Sequence, residues 1–437
     1  LPSMAAACLV CIISGLTAGA EGPSMFIGAT CGDGVSKMLR CTDMERRYQL
    51  TGGASAGLAV AFNAPLTGIV FAFEEAHRRF TPAIFICAFS SVLSSIITRN
   101  LLFELMHMEV TSTFTTVTLV QMPLKTYGYV AIAAIISGLL GFGFYSLCLL
   151  SRKIFAKITF AKGLGKMLIP FVAAGVFGLI SVSVMGGGHS FIQSLGTLGG
   201  MREQSIAAIF SSPVVVSLLL VLVMRIVATV FNLGAGVPCG IFIPMLSIGA
   251  CVGALVSKLC GAIGMDAVYG DCIVMICMAT FFASIVKAPI TAIVMIVELT
   301  WQFTLLVPVI LGVSFGYMVS EIFGAKPIYE VILDGILEDE HVHLTRHSYT
   351  TTIEEGSIAM NKPIRDVLWP GNLLIRSIKR GDEIVVASSD TVLRAGDEIT
   401  VQTECVDFDR FKVWVDEIVK PRKRFALRTS RKTTKRN

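Results

Sequence analysis

The stretch "KAPITAIVMIVEL", residues 287–299, repeats "NAPLTGIVFAFEE", residues 63–75: both carry Ala-Pro, a Thr, Ile-Val and a late Glu. A second pair runs alongside the first, "EGPSMFIGA" at 21–29 with "FIPMLSIGA" at 242–250, sharing the proline and the Ile-Gly-Ala triplet. The two spacings are 224 and 221 residues. Two matches at almost one spacing are hard to obtain by chance, so the chain reads as two homologous halves, the first represented by its latter portion. In membrane transporters such halves are often related by a pseudo-two-fold axis, with half-helix ends converging on a midplane site.

Composition agrees with a membrane setting. Of 437 residues, 54% are apolar and 15% charged, and the mean hydropathy is +0.74, far from a soluble globular domain. Charge is concentrated at the end: "PRKRFALRTSRKTTKRN", residues 421–437, holds eight Lys or Arg against a net charge of +5 for the whole chain. Basicity is thus a property of the tail, which reads as an end lying against an anionic cytoplasmic leaflet and not as a nucleic-acid surface. The opening "LPSMAAACLVCIISG" has no basic leader and starts inside an apolar run, so N-terminal membrane helices are expected to be missing. Apolar segments near 4–19, 54–73, 81–98, 127–150, 167–185, 206–231, 240–260, 271–286, 288–299 and 304–324 include several too short for a straight span or broken by Gly or Pro. That pattern predicts discontinuous helices whose ends meet inside protein. Arg225, within 206–231, is expected to be held at an interface or by a partner.

Glu21 is the residue this arrangement has to explain. It stands alone in "SGLTAGAEGPSMFIGA", residues 14–29, and burying an unpaired carboxylate is costly. Pro23 and Ser24 read as the first turn of a helix, and Gly19 and Gly22 allow close backbone approach. A helix start offers free N–H groups and partial positive charge, so Glu21 sits where an anion could also sit. Its repeat mate, Phe242, opens a second such helix before Pro244.

These residues resemble a known family. "GAEGP" (19–23), "AFNAPLTGIVFAFEE" (61–75), "GIFIPML" (240–246), "KAPITAIVMIVELT" (287–300) and "GAKPIYEVIL" (324–333) look like the signature motifs of the CLC chloride channels and chloride/proton antiporters. The resemblance implies an all-α polytopic membrane protein with the CLC-type inverted-repeat helical fold and broken helices over residues 1–333. It implies a gating glutamate at Glu21, whose carboxylate competes with chloride and picks up a proton. Chloride contacts are implied at Gly22, Ile241, Phe242 and Tyr329, and inner proton transfer at Glu75, a position channels usually fill with an apolar residue. It further implies a homodimer, for which 167–185 and 206–231 are the candidate interface helices. Two positions depart from the family pattern: Ala20 replaces a basic residue before the gate, and Met4 replaces another near the start of this run. The serine loop that completes the family's central anion site lies upstream of Leu1.

Residues 334–350 read as a linker. Residues 351–403 read as a small soluble α/β, mainly β domain, with strand-like runs at 373–378, 383–386 and 398–401 and turns at Gly381-Asp382 and Gly396-Asp397. It resembles the TrkA-C domain, the C-terminal part of a potassium-transport regulatory module. Such domains pair, and some relatives bind a small molecule, which makes a small ligand of this domain an expectation. Residues 404–437 read as a polar basic tail.

Blander roles compete at several residues. Glu21 could merely cap helix N–H groups, and Glu74 and Glu75 could both be wetted acids beside the cationic "HRRF" at 77–80. Glu298, the repeat mate of Glu74, reads as structural, and Tyr329 alone would pass for an interfacial aromatic. His341, His343 and His347 lie among acids but carry little metal signal, and His189 in "GGGHS" has no evident mechanism. Cys8 and Cys11 have CxxC spacing inside an apolar helix, without a redox-domain context, and "GAGVPCG" at 234–240 lacks the strand a dinucleotide loop needs. The reading is chloride/proton antiport by an integral protein of a prokaryotic cell membrane with its C-terminal domain cytoplasmic. It calls for no enzyme chemistry, metal or cofactor, with chloride as the transported ion. A passive voltage- or pH-gated chloride channel of the same fold, or a structural or sensory membrane protein, are the alternatives.

Overall fold

The computed structural model describes residues 2–78, 80–108, 119–158, 164–195, 213–339, 345–367, 369–370, 373–405 and 408–421. Arg79, His341, His343, the first part of the segment 206–231 and the basic tail beyond Pro421 lie outside the described residues. The chain divides into two compact units, one of residues 1–40 with 46–336 and one of residues 41–45 with 337–437.

Apart from the first turn of α3 and the end of α14, the first unit is made of the helices α1 (Pro2–Ile13), α2 (Glu21–Met38), α3 (Asp43–Phe62), α4 (Pro65–Phe71), α5 (Pro82–Leu105), α6 (Tyr127–Ala156), α7 (Leu164–Ile180), α8 (His189–Leu195), α9 (Pro213–Ala235), α10 (Phe242–Ala262), α11 (Gly270–Val286), α12 (Pro289–Thr300), α13 (Leu306–Ile322) and α14 (Ile328–Asp339). Six spans among the described residues are long and apolar enough to cross a membrane, and the protein is an integral membrane protein. α10 and α11 form the centre. Every residue of α11 is buried, as a helix that is apolar all round must be.

The repeat is visible in the backbone. α3 breaks before α4 at Asn63, and α11 breaks before α12 at Lys287; both residues hold left-handed φ, 55° and 65°, a few residues before Pro65 and Pro289. Left-handed backbone is costly for residues other than glycine, so its recurrence at equivalent positions marks a turn that both halves require. Proline then opens each short helix at a position that needs no N–H donor. The apolar stretch 54–73 is therefore not one span but the end of α3 and all of α4. A π-helical turn, Ala72–Ala76, continues α4.

Glu74 and Glu298 tie these half-helices together reciprocally. Leu66 N–H donates to Glu298 Oε1 at 2.7 Å, while Thr67 N–H and Oγ1 donate to its Oε2 at 2.7 and 2.6 Å. Ile290 N–H donates to Glu74 Oε1 at 2.8 Å, while Thr291 N–H and Oγ1 donate to Oε2 at 2.6 and 2.7 Å. Each acid near the end of one helix caps the start of the other, so α4 and α12 run antiparallel, as an inverted repeat requires. The structural reading of Glu298 thus has a stated job, and Glu74 shares it.

The second unit holds β1 (Thr345–Thr352), β2 (Leu374–Arg380), β3 (Glu383–Val385) and β4 (Glu398–Cys405) in an antiparallel sheet of order β1-β4-β2-β3, with α15 (Phe408–Val419). Ile378, Ile399 and Val401 pack with Phe411, Val415 and Ile418 in one core. Both expected Gly-Asp turns are present, with φ 61° at Gly381 and 87° at Gly396. Asp397 Oδ1 and Oδ2 accept a two-pronged Arg380 contact, 2.7 Å on each side, and Oδ2 also accepts the Arg394 N–H at 2.8 Å. Most of β1 and the end of α14 fall in the stretch read as a linker, and α15 falls in the stretch read as a tail.

Candidate functional site

The two helix starts singled out by the repeat meet. Gly19 and Gly240 form an antiparallel bridge, with Gly19 N–H to Gly240 O at 2.8 Å and Gly240 N–H to Gly19 O at 3.1 Å. Beyond it lie Glu21, the first residue of α2, and Phe242, the first of α10. Glycine is needed on both sides of the clamp: an added Cβ would fall 1.9 Å from Glu21 Oε2 at Gly19 and 2.4 Å from Glu21 Oε1 at Gly240. At Gly22 it would fall 2.8 Å from the Gly240 nitrogen. Gly19 and Gly240 thus line a slot that the Glu21 carboxylate fills, and Gly22 lets the two backbones approach.

Glu21 is 1% exposed. Its Oε1 accepts the Ile243 N–H at 3.2 Å, while Oε2 has no hydrogen-bond partner among the described residues. A buried carboxylate with one unsatisfied oxygen costs several kcal/mol when ionised, of order 1–3 kcal/mol for the unpaired atom alone. The first-turn N–H groups of α10 and the positive ends of two helices offset part of that cost. Ile241 and Phe242 precede the first intrahelical bond of α10, Met245 N–H to Ile241 O at 3.0 Å, so their N–H groups belong to the free donors of that end.

Phe242 anchors an aromatic cluster. Its ring centroid lies 4.9 Å from Phe282, 5.8 Å from Tyr329, 6.0 Å from Phe71 and 6.1 Å from Phe62. Tyr329, half-buried at the start of α14, stacks on Phe242 at an interplanar angle of 28°. Glu21 and Glu75 are the two carboxylates within electrostatic reach of its hydroxyl. Glu21, Gly22, Ile241, Phe242 and Tyr329 are therefore brought together, and Glu75 also lies within electrostatic reach of Tyr329. Glu75 is half-buried in the π-helical turn, and Arg78, Glu74 and Glu330 are the charges that act on it. Arg78 pairs with Glu330 at 2.7 Å. The π-turn carries both acids, Glu75 among these charges and Glu74 on the start of α12.

Arg225, expected to have a partner, is fully buried. Its Nε donates to Ser183 O at 3.0 Å, one terminal NH2 group donates to Ser247 Oγ at 2.7 Å, and the guanidinium lies 4.7 Å from the centre of the Phe191 ring. Sequence reasoning had no signal for these contacts, because Ser183 and Ser247 lie in different segments and carry no motif. Among the described residues no group of three or more His, Cys, Asp and Glu side chains is arranged to hold a metal ion.

Residues 1–321 match the family model described as voltage gated chloride channel, and residues 350–413 match that of the TrkA-C domain. The chain is 31% identical over 332 residues to the "H(+)/Cl(-) exchange transporter ClcA" of Cronobacter sakazakii, covering 73% of this chain and 66% of that protein. It is 31% identical over 340 residues to the protein of the same name from Vibrio cholerae, covering 75% and 68%. The chain spans about two thirds of the length of these relatives. Among solved structures, a slow cyanobacterial Cl−/H+ antiporter superposes with a TM-score of 0.64 at 25% identity, covering 76% of this chain and 74% of that one.

Proposed function

The chain belongs to the voltage-gated chloride channel family, the CLC channels and antiporters, and from that premise we propose that it exchanges chloride for protons across a membrane. Relatives named as H+/Cl− exchange transporters support the choice of ions. What carries the reading is Glu21: a buried carboxylate with an unpartnered oxygen, held by glycines at the meeting of two helix N-termini.

Ionised, Glu21 occupies the position an anion would take against the N–H groups of Gly22, Ile241 and Phe242. Protonated, it loses most of its attraction to the helix ends and leaves the slot, and chloride takes its place with the Tyr329 hydroxyl as a further donor. Glu75 exchanges protons with the other side. Its half-buried position, with Tyr329 within electrostatic reach of both it and Glu21, suits a proton relay between the two acids. Anion and proton then alternate through one carboxylate, and no covalent bond is made or broken. A homodimer with one pathway per subunit goes with this reading, as does a small ligand for the TrkA-C domain.

The test is Glu21→Ala in full-length protein reconstituted in liposomes. Chloride efflux persists and chloride-driven proton movement disappears. Proton movement at the wild-type rate would remove Glu21 from the mechanism.

A further inference from the structure

Arg225 is the buried cation that the transport reading leaves unused. Its partners among the described residues are two backbone carbonyls, a hydroxyl and an aromatic ring, with no carboxylate. Taking a guanidinium out of water without a counter-charge is costly, so packing alone does not account for it. Nε donates to Ser183 O at 3.0 Å, while Nη1 donates to Ser247 Oγ at 2.7 Å and to Gly187 O at 3.4 Å. Ser247, in the second turn of α10, passes its own proton to Pro244 O at 2.8 Å. The planar fork thus ties the loop 183–187 to the start of α10.

That loop backs the segment leading into the Glu21 slot. Gly186 N–H donates to Gly15 O at 3.1 Å, and Thr17 Oγ1 donates to Val184 O at 3.1 Å. α9 reaches the same segment from its other end, Asn232 Nδ2 donating to Thr17 O at 2.8 Å. Gly187 lies so close that an added Cβ would fall 3.1 Å from Ala18 O, 3.3 Å from Ile243 Cγ2 and 3.7 Å from Gly19 Cα. Contacts therefore run from Arg225 through residues 183–187 to residues 15–19, and Gly19 is one side of the slot.

We propose that Arg225 is a positioning residue for Glu21: by fixing the loop 183–187 against α10, it keeps residues 15–19 in register with Gly240 and the slot shaped for the carboxylate. Its effect on Glu21 passes through the loop. Without the guanidinium, Ser183 O and Gly187 O lose their tie to α10, residues 15–19 lose their backing, and Glu21 closes the path less completely. Chloride then slips past with no proton exchanged. The coupling consequence rests on the antiport reading above, whereas the backing of residues 15–19 does not.

Full-length wild type and Arg225→Met are reconstituted in liposomes, with chloride and proton fluxes recorded together on the same vesicles. The ratio of the two is the readout, because it does not depend on how much of the protein has folded. Arg225→Met is expected to lower the protons moved per chloride by about twofold or more while chloride efflux continues. Arg225→Lys, with one ammonium in place of a fork, falls between. Thr17→Val cuts the next link and lowers the ratio as well, and combined with Arg225→Met it lowers it no further, since both break one path. Should Arg225→Met fail to fold, Thr17→Val and Gly187→Ala, which sets a methyl against Ala18 O, carry the same test. An unchanged ratio, or a double variant whose two losses multiply, overturns the proposal. Wild-type protein that moves chloride without protons overturns the antiport reading instead. Arg225 is then read from chloride efflux alone, which rises in Arg225→Met if the slot has loosened; efflux that does not rise overturns the positioning role.

Discussion

Replacing Glu298 by alanine removes three hydrogen bonds to a carboxylate in one step: those from the Leu66 and Thr67 N–H groups and from the Thr67 hydroxyl, all 2.6–2.7 Å. Hydrogen bonds to a charged acceptor contribute about 1.5–3 kcal/mol each in favourable settings, and a lost N-cap typically costs about 1 kcal/mol. The three bonds share one carboxylate and water can reach the exposed Leu66, so their sum is well below the simple total. About 2–4 kcal/mol is the expected loss, close to the upper range for caps because charge, helix end and hydroxyl act together. Glu298→Gln keeps one oxygen acceptor and costs about half as much. Glu74→Ala removes the same three kinds of bond from α12 and falls within about 1 kcal/mol of Glu298→Ala, since the two sets of hydrogen bonds match. Thermal melts of the detergent-purified protein read this as a midpoint lower by on the order of 5 °C for either alanine variant. Combining Thr67→Val with Glu298→Ala adds less than the two separate losses, because both delete one shared bond. A Glu298→Ala protein that melts with the wild type would refute the reciprocal caps as a source of stability.

Gly19→Ala places a methyl group 1.9 Å from where Glu21 Oε2 now lies, so the carboxylate is expelled from its slot. Liposomes holding this variant leak chloride with weakened proton coupling; tight coupling would mean the slot is not where Glu21 acts. Glu75→Gln leaves the contacts around Ile241, Phe242 and Tyr329 intact, so chloride flux stays measurable on an electrode while proton flux drops to background. In the C-terminal unit, burial works to raise the Asp397 pKa, but the Arg380 fork and the Arg394 N–H hold its carboxyl below the usual aspartate range. A carboxyl with a lowered folded-state pKa stabilises fully above its unfolded pKa, about 4, and that contribution fades as pH falls through the folded value. Melts of that unit within the intact protein therefore weaken on acidification below about pH 4, and Arg380→Ala flattens this dependence. An unchanged acid slope in Arg380→Ala would assign the effect to other groups.

Much of the membrane fold could be read in the chain because a repeat states the same geometry twice. Pro65 and Pro289, with the left-handed residues before them, sit at matching places, and the two late acids follow at one spacing. The convergence of Glu21 with Phe242 was legible for the same reason. What the sequence concealed depends on contacts between distant segments. Nothing local says that Glu74 reaches Thr291, that Arg225 finds Ser183, or that Cys8 reaches the Pro238 carbonyl, since each pairing needs the helices packed first. Break points were also hidden: Asn63 is a single polar residue in an apolar run, and only its backbone conformation separates α3 from α4. At the other end, β1 lacks the strict alternation of a half-buried strand, and α15, with its charged face, resembled a polar tail.

The central claim, that one chain couples chloride to protons, is tested most directly by a chloride gradient imposed across liposomes containing the wild-type full-length protein at equal pH inside and out. Outward chloride flow should draw protons inward against their own developing gradient, and a protonophore should collapse the pH difference. Chloride efflux with no movement of the pH electrode would contradict the account and leave a passive anion pathway in the same fold.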